Sequence, residues 1–371
     1  MRRILYKRDS IWLPEKAVII SPLIKNIIQY RNPHKSGVLI GRILNDSRIV
    51  LWDPMKSMNP HILIVGPSGS GKTETLITIL RRAHEIYNST VVFVDIKGDI
   101  SARLRDRGVH YNLIDLPENS LKSLEPRYTM PWIRVYQVFD SIVESYEIND
   151  LKLQGIIFEV LKRGYERYDT PSWDEIISIL YDRNYDGLNG IIERIFREIS
   201  SLDSGEGDRY EIVRGEINIV TMRSLTKERE ELLRYAINII FQDLINIASQ
   251  EKPDSLVNIF LGLDEAWILL SRSVSRRIIN LMRIARGYGL SIAMATQSFR
   301  DFGSLWDLVV ENTGLLIVMS NPNKSFWSEA SNFLKIGERY LEDLITIMRR
   351  GDAIIRILPD PRAIPVSIDI S

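Results

Sequence analysis

The stretch Gly66-Pro67-Ser68-Gly69-Ser70-Gly71-Lys72-Thr73 constrains this chain more than any other feature. It fits G-x-x-x-x-G-K-[ST], a loop whose glycines let backbone N–H groups turn inward around phosphate oxygens at a helix N-terminus. The surroundings separate it from a chance match. An apolar run, His61–Val65, leads directly in, and Thr75–Tyr87 leads directly out with Leu76, Ile79 and Leu80 on one helical face. In such a loop Lys72 reaches the β- and γ-phosphates of a nucleotide, and the Thr73 hydroxyl ligates magnesium. The expected binding set runs from Gly66 through Thr73, with Glu74 beside it.

The alternation continues beyond the loop. Thr90–Asp95 reads as a second buried strand and Val109–Ile114 as a third, after a short helix. After a break it resumes with strand Glu216–Val220, helix Lys227–Ala248 and strand Val257–Leu263. A helix near Ser275–Tyr288 and strands Leu290–Ala295, Leu315–Met319 and Asp352–Leu358 follow, the last after two short helices. Strand–helix–strand order of this kind predicts an α/β fold with a mainly parallel sheet flanked by helices. The break, residues 128–212, carries four amphipathic helices and no strand: Trp132–Tyr146, Leu151–Tyr168, Ser172–Tyr181 and Leu188–Leu202. The third opens on a capping box, Ser172 with Glu175, after Pro171. These helices are expected to form an all-helical insertion in a core of residues 56–127 and 213–371. Residues 1–55, with short strands at Gly37–Ile43 and Arg48–Trp52 around an Asn45-Asp46 turn, are expected to be a small β-rich appendage or edge hairpin.

Composition removes other classes. The 371 residues are 45% hydrophobic and contain no cysteine, which excludes disulfide frameworks and thiolate metal sites. The four histidines, His34, His61, His84 and His110, have no metal-ligand spacing. Lysine plus arginine and aspartate plus glutamate both number 48, so a basic coat over the whole surface is excluded and any nucleic-acid contact is local. No run approaches the ~18 apolar residues of a membrane span, and the start lacks the apolar core of a signal peptide. A cytoplasmic protein, or one peripheral to a membrane, is expected.

Further motifs lie at strand ends. Strand Val257–Leu263 runs into Asp264-Glu265. With a phosphate loop upstream, Asp264 is expected in the magnesium shell and Glu265 as the group that polarises an attacking water. The glutamate argues for hydrolysis rather than slow switching. Thr296-Gln297 closes strand Leu290–Ala295; the amide of Gln297 either senses a γ-phosphate or simply leaves the sheet as a polar residue. In Asp95-Ile96-Lys97-Gly98-Asp99, Gly98 permits a tight turn; the acids either face a ligand or belong to a strand-to-helix turn with Asp99 as N-cap. Arg283 and Arg286 precede Gly287-Tyr288-Gly289. They complement a helix end, or Arg286 reaches a neighbouring subunit's nucleotide as an arginine finger.

Together, IGRILNDSRIVLWDPMKSMNPHILIVGPSGSGKT (40–73), VVFVDIKGD (91–99), IFLGLDEAW (259–267) and RGYGLSIAMATQ (286–297) resemble the HerA–FtsK superfamily of P-loop motors. That superfamily includes HerA translocases and the ATPases and coupling proteins of conjugation and type IV secretion. The resemblance runs from about residue 40 to the C-terminus. It implies a RecA-like P-loop NTPase core, ATP and Mg2+ as cofactors, and a homohexameric ring acting on DNA. By residue match it gives Asp264, Glu265 and Gln297 to hydrolysis and Arg286 to the adjacent subunit's site. It also implies sequence-independent DNA contact in a central pore, and a membrane-associated transfer complex or a nuclease as a further partner. A secretion-type ATPase with a protein substrate is the alternative. The polar 203–215 stretch and the Arg272, Arg276 and Arg277 cluster are either pore elements or a solvated helix face and subunit-interface charges.

Overall fold

The computed structural model describes residues 37–46, 48–116, 118–185, 187–204, 208–225, 230–250, 257–266, 282–360 and 362–371. The chain forms two compact units, Met1–Tyr87 with Ala293–Ser371, and Asn88–Ile292.

The first unit holds the phosphate loop. Its strands are β1 (Val38–Ile43), β2 (Ile49–Trp52), β3 (Ile62–Val65), β8 (Leu290–Thr296, entering from the second unit), β9 (Leu315–Met319), β10 (Asp352–Ile357) and β11 (Ala363–Ile368). They lie in the order β2-β1-β11-β10-β9-β3-β8. β3 pairs in parallel with β8 and β9, and all four of its residues, Ile-Leu-Ile-Val, are buried. A strand covered on both faces has no polar alternation to show. From β9 outward to β2 the pairing turns antiparallel. The β1–β2 hairpin lies at the end of the strand order, where β1 is bonded to β11 in the register Gly41↔Ile368, Arg42↔Ser367, Ile43↔Val366. β11 is missing from the expected strands because Pro365 interrupts it and proline demotes a run as a strand. Pro365 is tolerated one residue past the end of the β1 register, where its carbonyl accepts from Leu44 N–H at 2.9 Å.

Helix α1 (Lys72–Tyr87) starts inside the glycine loop, three residues earlier than the apolar spacing alone marks. Its buried Arg82 donates to Leu39 O (2.7 Å), Asp369 O (3.0 Å), Asp369 Oδ1 (2.7 Å) and Ser371 O (3.0 Å). The guanidinium therefore fastens α1 to β1 and to the segment after β11. A 3-10 turn (Phe299–Leu305), α8 (Trp306–Glu311), α9 (Lys324–Leu334) and α10 (Glu338–Ile347) complete the described helices here.

The second unit holds β4 (Thr90–Asp95), β5 (Asn112–Asp115), β6 (Ile217–Thr221) and β7 (Ile259–Asp264) in the all-parallel order β7-β4-β6-β5. Helices α2 (Ile100–Asp106) and α7 (Glu230–Gln250) belong to it. So do α3 (Pro131–Ser145), α4 (Leu151–Arg167), α5 (Trp173–Tyr181) and α6 (Asn189–Asp203), which follow one another with no strand between them. The capping box closes on α5: Ser172 Oγ accepts from Glu175 N–H at 3.3 Å, and Ser172 N–H donates to the Glu175 carboxylate at 2.7 Å.

A buried polar cluster ties α3 to α7. Arg134 is 0% exposed and donates to Asp243 at 2.7 Å; the Tyr210 hydroxyl donates to the other Asp243 oxygen. Burial first, then the Asp243 charge, pushes the Tyr210 hydroxyl well above its ordinary range and keeps it a donor. Tyr210 lies in the 203–215 stretch, so its side chain anchors that stretch in the core while its neighbours Arg209 and Glu211 are exposed. Removing one member of a buried ion pair leaves a bare charge inside. Asp243→Ala is therefore expected to lower stability by about 3–5 kcal/mol in denaturant unfolding; a loss under ~1 kcal/mol would mean that Arg134 reaches solvent.

Candidate nucleotide site

The loop at the end of β3 is shaped by backbone geometry. Gly69 and Gly71 have φ of 77° and 104°, the left-handed side that glycine adopts freely. At Gly66 the constraint is space: a Cβ there would come within 2.6 Å of Met319 Cβ and 3.0 Å of Ser70 Oγ. The loop is further held by Gly66 N–H donating to Thr296 O at 3.2 Å and Ser70 N–H to Pro67 O at 3.2 Å. Lys72, 8% exposed, folds back so that its ammonium donates to Pro67 O at 3.0 Å. Thr73 and Glu74 occupy the first turn of α1, half-buried, while Ser68 and Gly69 are exposed. Ser70 Oγ is buried with no hydrogen-bond partner. An orphan hydroxyl, inward-turned glycines, an ammonium and the open end of a 16-residue helix fit a polyphosphate.

Gln297 stands one residue beyond this loop's anchor. Thr296 is in register with Val65 and accepts from Gly66 N–H, so the exposed Gln297 leaves the sheet beside the β3 end. Its position is set by a cap that went unread in the sequence, although Ser298-x-x-Asp301 has the capping-box pattern. The Asp301 carboxylate accepts from the Thr296 hydroxyl and from Ser298 N–H (3.1 Å), and Ser298 Oγ accepts from Arg300 N–H at 3.1 Å.

In the second unit, β4 and β7 are neighbours in the register Val94↔Leu263, so their C-terminal turns open on the same edge. Asp95 is buried and accepts from three backbone N–H groups of its own turn: Gly98 (2.8 Å), Asp99 (3.3 Å) and Ile100 (2.9 Å). Burial pushes the Asp95 carboxyl up, against these donors, which pull it down. Asp95 thus caps α2. Asp99 sits at the N-cap position without a side-chain cap bond and pairs instead with Arg103. Gly98 has φ of 76°, and a Cβ there would lie 2.7 Å from Arg223 Cδ.

Asp264 ends β7 and is 7% exposed. Glu265 follows it in the left-handed region, φ 68°, a conformation that a non-glycine residue holds at a cost of order 1–3 kcal/mol and that concentrates at functional sites. The Glu265 carboxylate accepts from the Lys97 ammonium, a contact between residues 168 apart in sequence. Burial pulls Lys97 down; Glu265, then Asp264 and Asp99, outweigh it and hold the ammonium above its ordinary range. Arg283 and Arg286 lie on a helix over residues 282–287, and both are exposed. Arg272, Arg276 and Arg277 lie outside the described residues. Among the described residues no cluster of three or more His, Cys, Asp or Glu could hold a metal ion alone. Mg2+ at nucleotide sites usually takes most of its ligands from phosphate oxygens and water rather than from a protein cage.

A glycine loop joining a parallel strand to a helix, in an α/β sheet flanked by helices, defines a RecA-like P-loop ATPase fold. The match to solved structures agrees. VirB4 of Thermoanaerobacter pseudethanolicus superposes with a TM-score of 0.74 at 16% identity, over 90% of this chain and 96% of that one. The plasmid coupling protein TrwB, bound to a non-hydrolysable ATP analogue, superposes with a TM-score of 0.65 at 15% identity, over 94% and 92%. Residues 38–258 match the family model described as the central domain of helicase HerA, and the chain belongs to that family. Among curated proteins, DNA import protein CedB of Sulfolobus acidocaldarius is 36% identical over 344 residues, 90% of this chain and 56% of its own length. A probable conjugal transfer protein of Sinorhizobium fredii, of the TrbE type, is 24% identical over 71% of this chain and 39% of its own. The chain thus spans about half the length of the curated relatives it matches. No helix of the described residues is long and apolar enough to cross a membrane.

Proposed function

We propose that this chain is the core of an ATP-hydrolysing motor that moves DNA across or toward a membrane-associated transfer complex. In this reading the Gly66–Thr73 loop wraps the phosphates and Lys72 exchanges Pro67 O for the β- and γ-oxygens. Thr73 and Asp264 would hold Mg2+, which would neutralise charge on the phosphates. Glu265 orients and deprotonates the attacking water, and Gln297 senses the γ-phosphate. Arg286, exposed at a helix end, completes the site of the next subunit in a homohexameric ring. Glu265 carries the proposal. A base directly after the Asp264 of a buried strand suits hydrolysis, and the 36% identity to a DNA import protein supports DNA as the cargo.

The test is ATP hydrolysis by the purified protein with and without single- and double-stranded DNA. Stimulation that fades with added salt is expected, because contacts to the phosphate backbone release counterions. Hydrolysis indifferent to both DNA forms would overturn the DNA reading. It would leave a secretion-type ATPase with a protein substrate, the alternative that a formal net charge of zero accommodates.

A further inference from the structure

The contact between Lys97 and Glu265 joins two turns that no sequence proximity brings together. Each turn is independently set. Asp95 fixes the Lys97 turn through its three backbone N–H partners. On the other side, Glu265 follows the last residue of β7 with a left-handed backbone, φ 68°. The two side chains differ in exposure: the glutamate is 11% exposed and the lysine 56%. A carboxylate oxygen that accepts from an ammonium has one fewer lone pair for a water proton. The exposed partner is the one with freedom to leave, and an ammonium on a flexible four-carbon stem is readily drawn to another anion.

We infer that Lys97 is a positioning residue that parks Glu265 in an unreactive arrangement, released when a phosphate anion takes the Lys97 ammonium. The inference rests on the reading of Glu265 as the hydrolytic base. It assigns the Lys97 of the Asp95–Asp99 turn a restraining role, and Lys97→Met frees the base at the expense of control. A partly exposed ion pair is worth up to a few-fold in an equilibrium. Lys97→Met is therefore expected to raise kcat without DNA about three- to fivefold, with KM for ATP unchanged and a smaller stimulation by DNA. Lys97→Arg, which keeps the cation, is expected to bring the DNA-free rate back toward wild type. Glu265→Gln should remove the effect, so that Lys97→Met adds nothing on that background. A gain of rate is not a result that loss of folding produces, and a thermal melt of each variant accompanies the kinetics. A DNA-free kcat equal to or below wild type in Lys97→Met, with a wild-type melt, would overturn the inference. So would a raised rate that persists with Glu265→Gln. Absence of ATP hydrolysis in the wild-type protein is a different result and would overturn the proposed function itself.

Discussion

Glu265→Gln is expected to bind ATP as wild type does and to hydrolyse it about 10²–10⁴-fold more slowly, the range for loss of a positioned general base. The amide keeps the size of the carboxylate and loses only its capacity to take a proton. Glu265 lies outside the Gly66–Thr73 loop, so an ATP-analogue titration should give an affinity within about twofold of wild type. The protein should then accumulate with ATP intact, and in a motor that state is a stall. Rapid-quench single turnovers separate chemistry from product release and locate the loss. If Glu265→Gln turns over at more than about a tenth of the wild-type rate, another group is the base.

Arg286→Ala is expected to cost about a thousandfold or more in kcat, the size of an arginine finger's contribution, again with little change in ATP binding. Its sharper consequence appears on mixing. A subunit carrying Arg286→Ala retains Glu265, and a subunit carrying Glu265→Gln retains Arg286. If the arginine serves the neighbour's nucleotide, an interface with the first as nucleotide holder and the second as arginine donor is intact. Random assembly of equal amounts into a ring of head-to-tail contacts makes about a quarter of interfaces intact. Two variants that are each inactive should therefore regain activity when co-assembled. A mixture as inactive as its components, in particles shown to contain both, would place Arg286 in its own subunit's chemistry or outside chemistry altogether.

What could be read from the sequence was local. The strand, the glycines, Lys72 and the start of α1 are contiguous, and each follows from the geometry of a loop that must expose its N–H groups. Buried parallel strands such as β4, β7 and β9 announced themselves as short apolar runs bounded by polar turns. Contacts made across the fold were not legible. Nothing in Asp95-Ile96-Lys97-Gly98-Asp99 says that the first acid caps the helix and the last does not, because both have the right chemistry and only burial distinguishes them. Nor can the sequence tell that Lys97 meets Glu265, since that depends on β4 and β7 being neighbours. β11 is hard to read for the opposite reason: Pro365 interrupts its apolar run locally, and only the end of the β1 pairing shows why a proline fits there. The Ser298–Asp301 cap does have a local signature, but it falls in a polar turn after a strand, where a structural role and a functional one look alike in sequence.

Arg82 gives the phosphate loop a mechanical connection. Helix α1 begins within the loop at Lys72, and near its other end Arg82 is hydrogen-bonded to Leu39, Asp369 and Ser371. A rod clamped at one end to a ligand-binding loop and at the other to an edge of its sheet acts as a strut. About 15 Å of helix axis, ten residues at ~1.5 Å each, separates the Lys72 end of the loop from the Arg82 contacts with β1 and with the segment after β11.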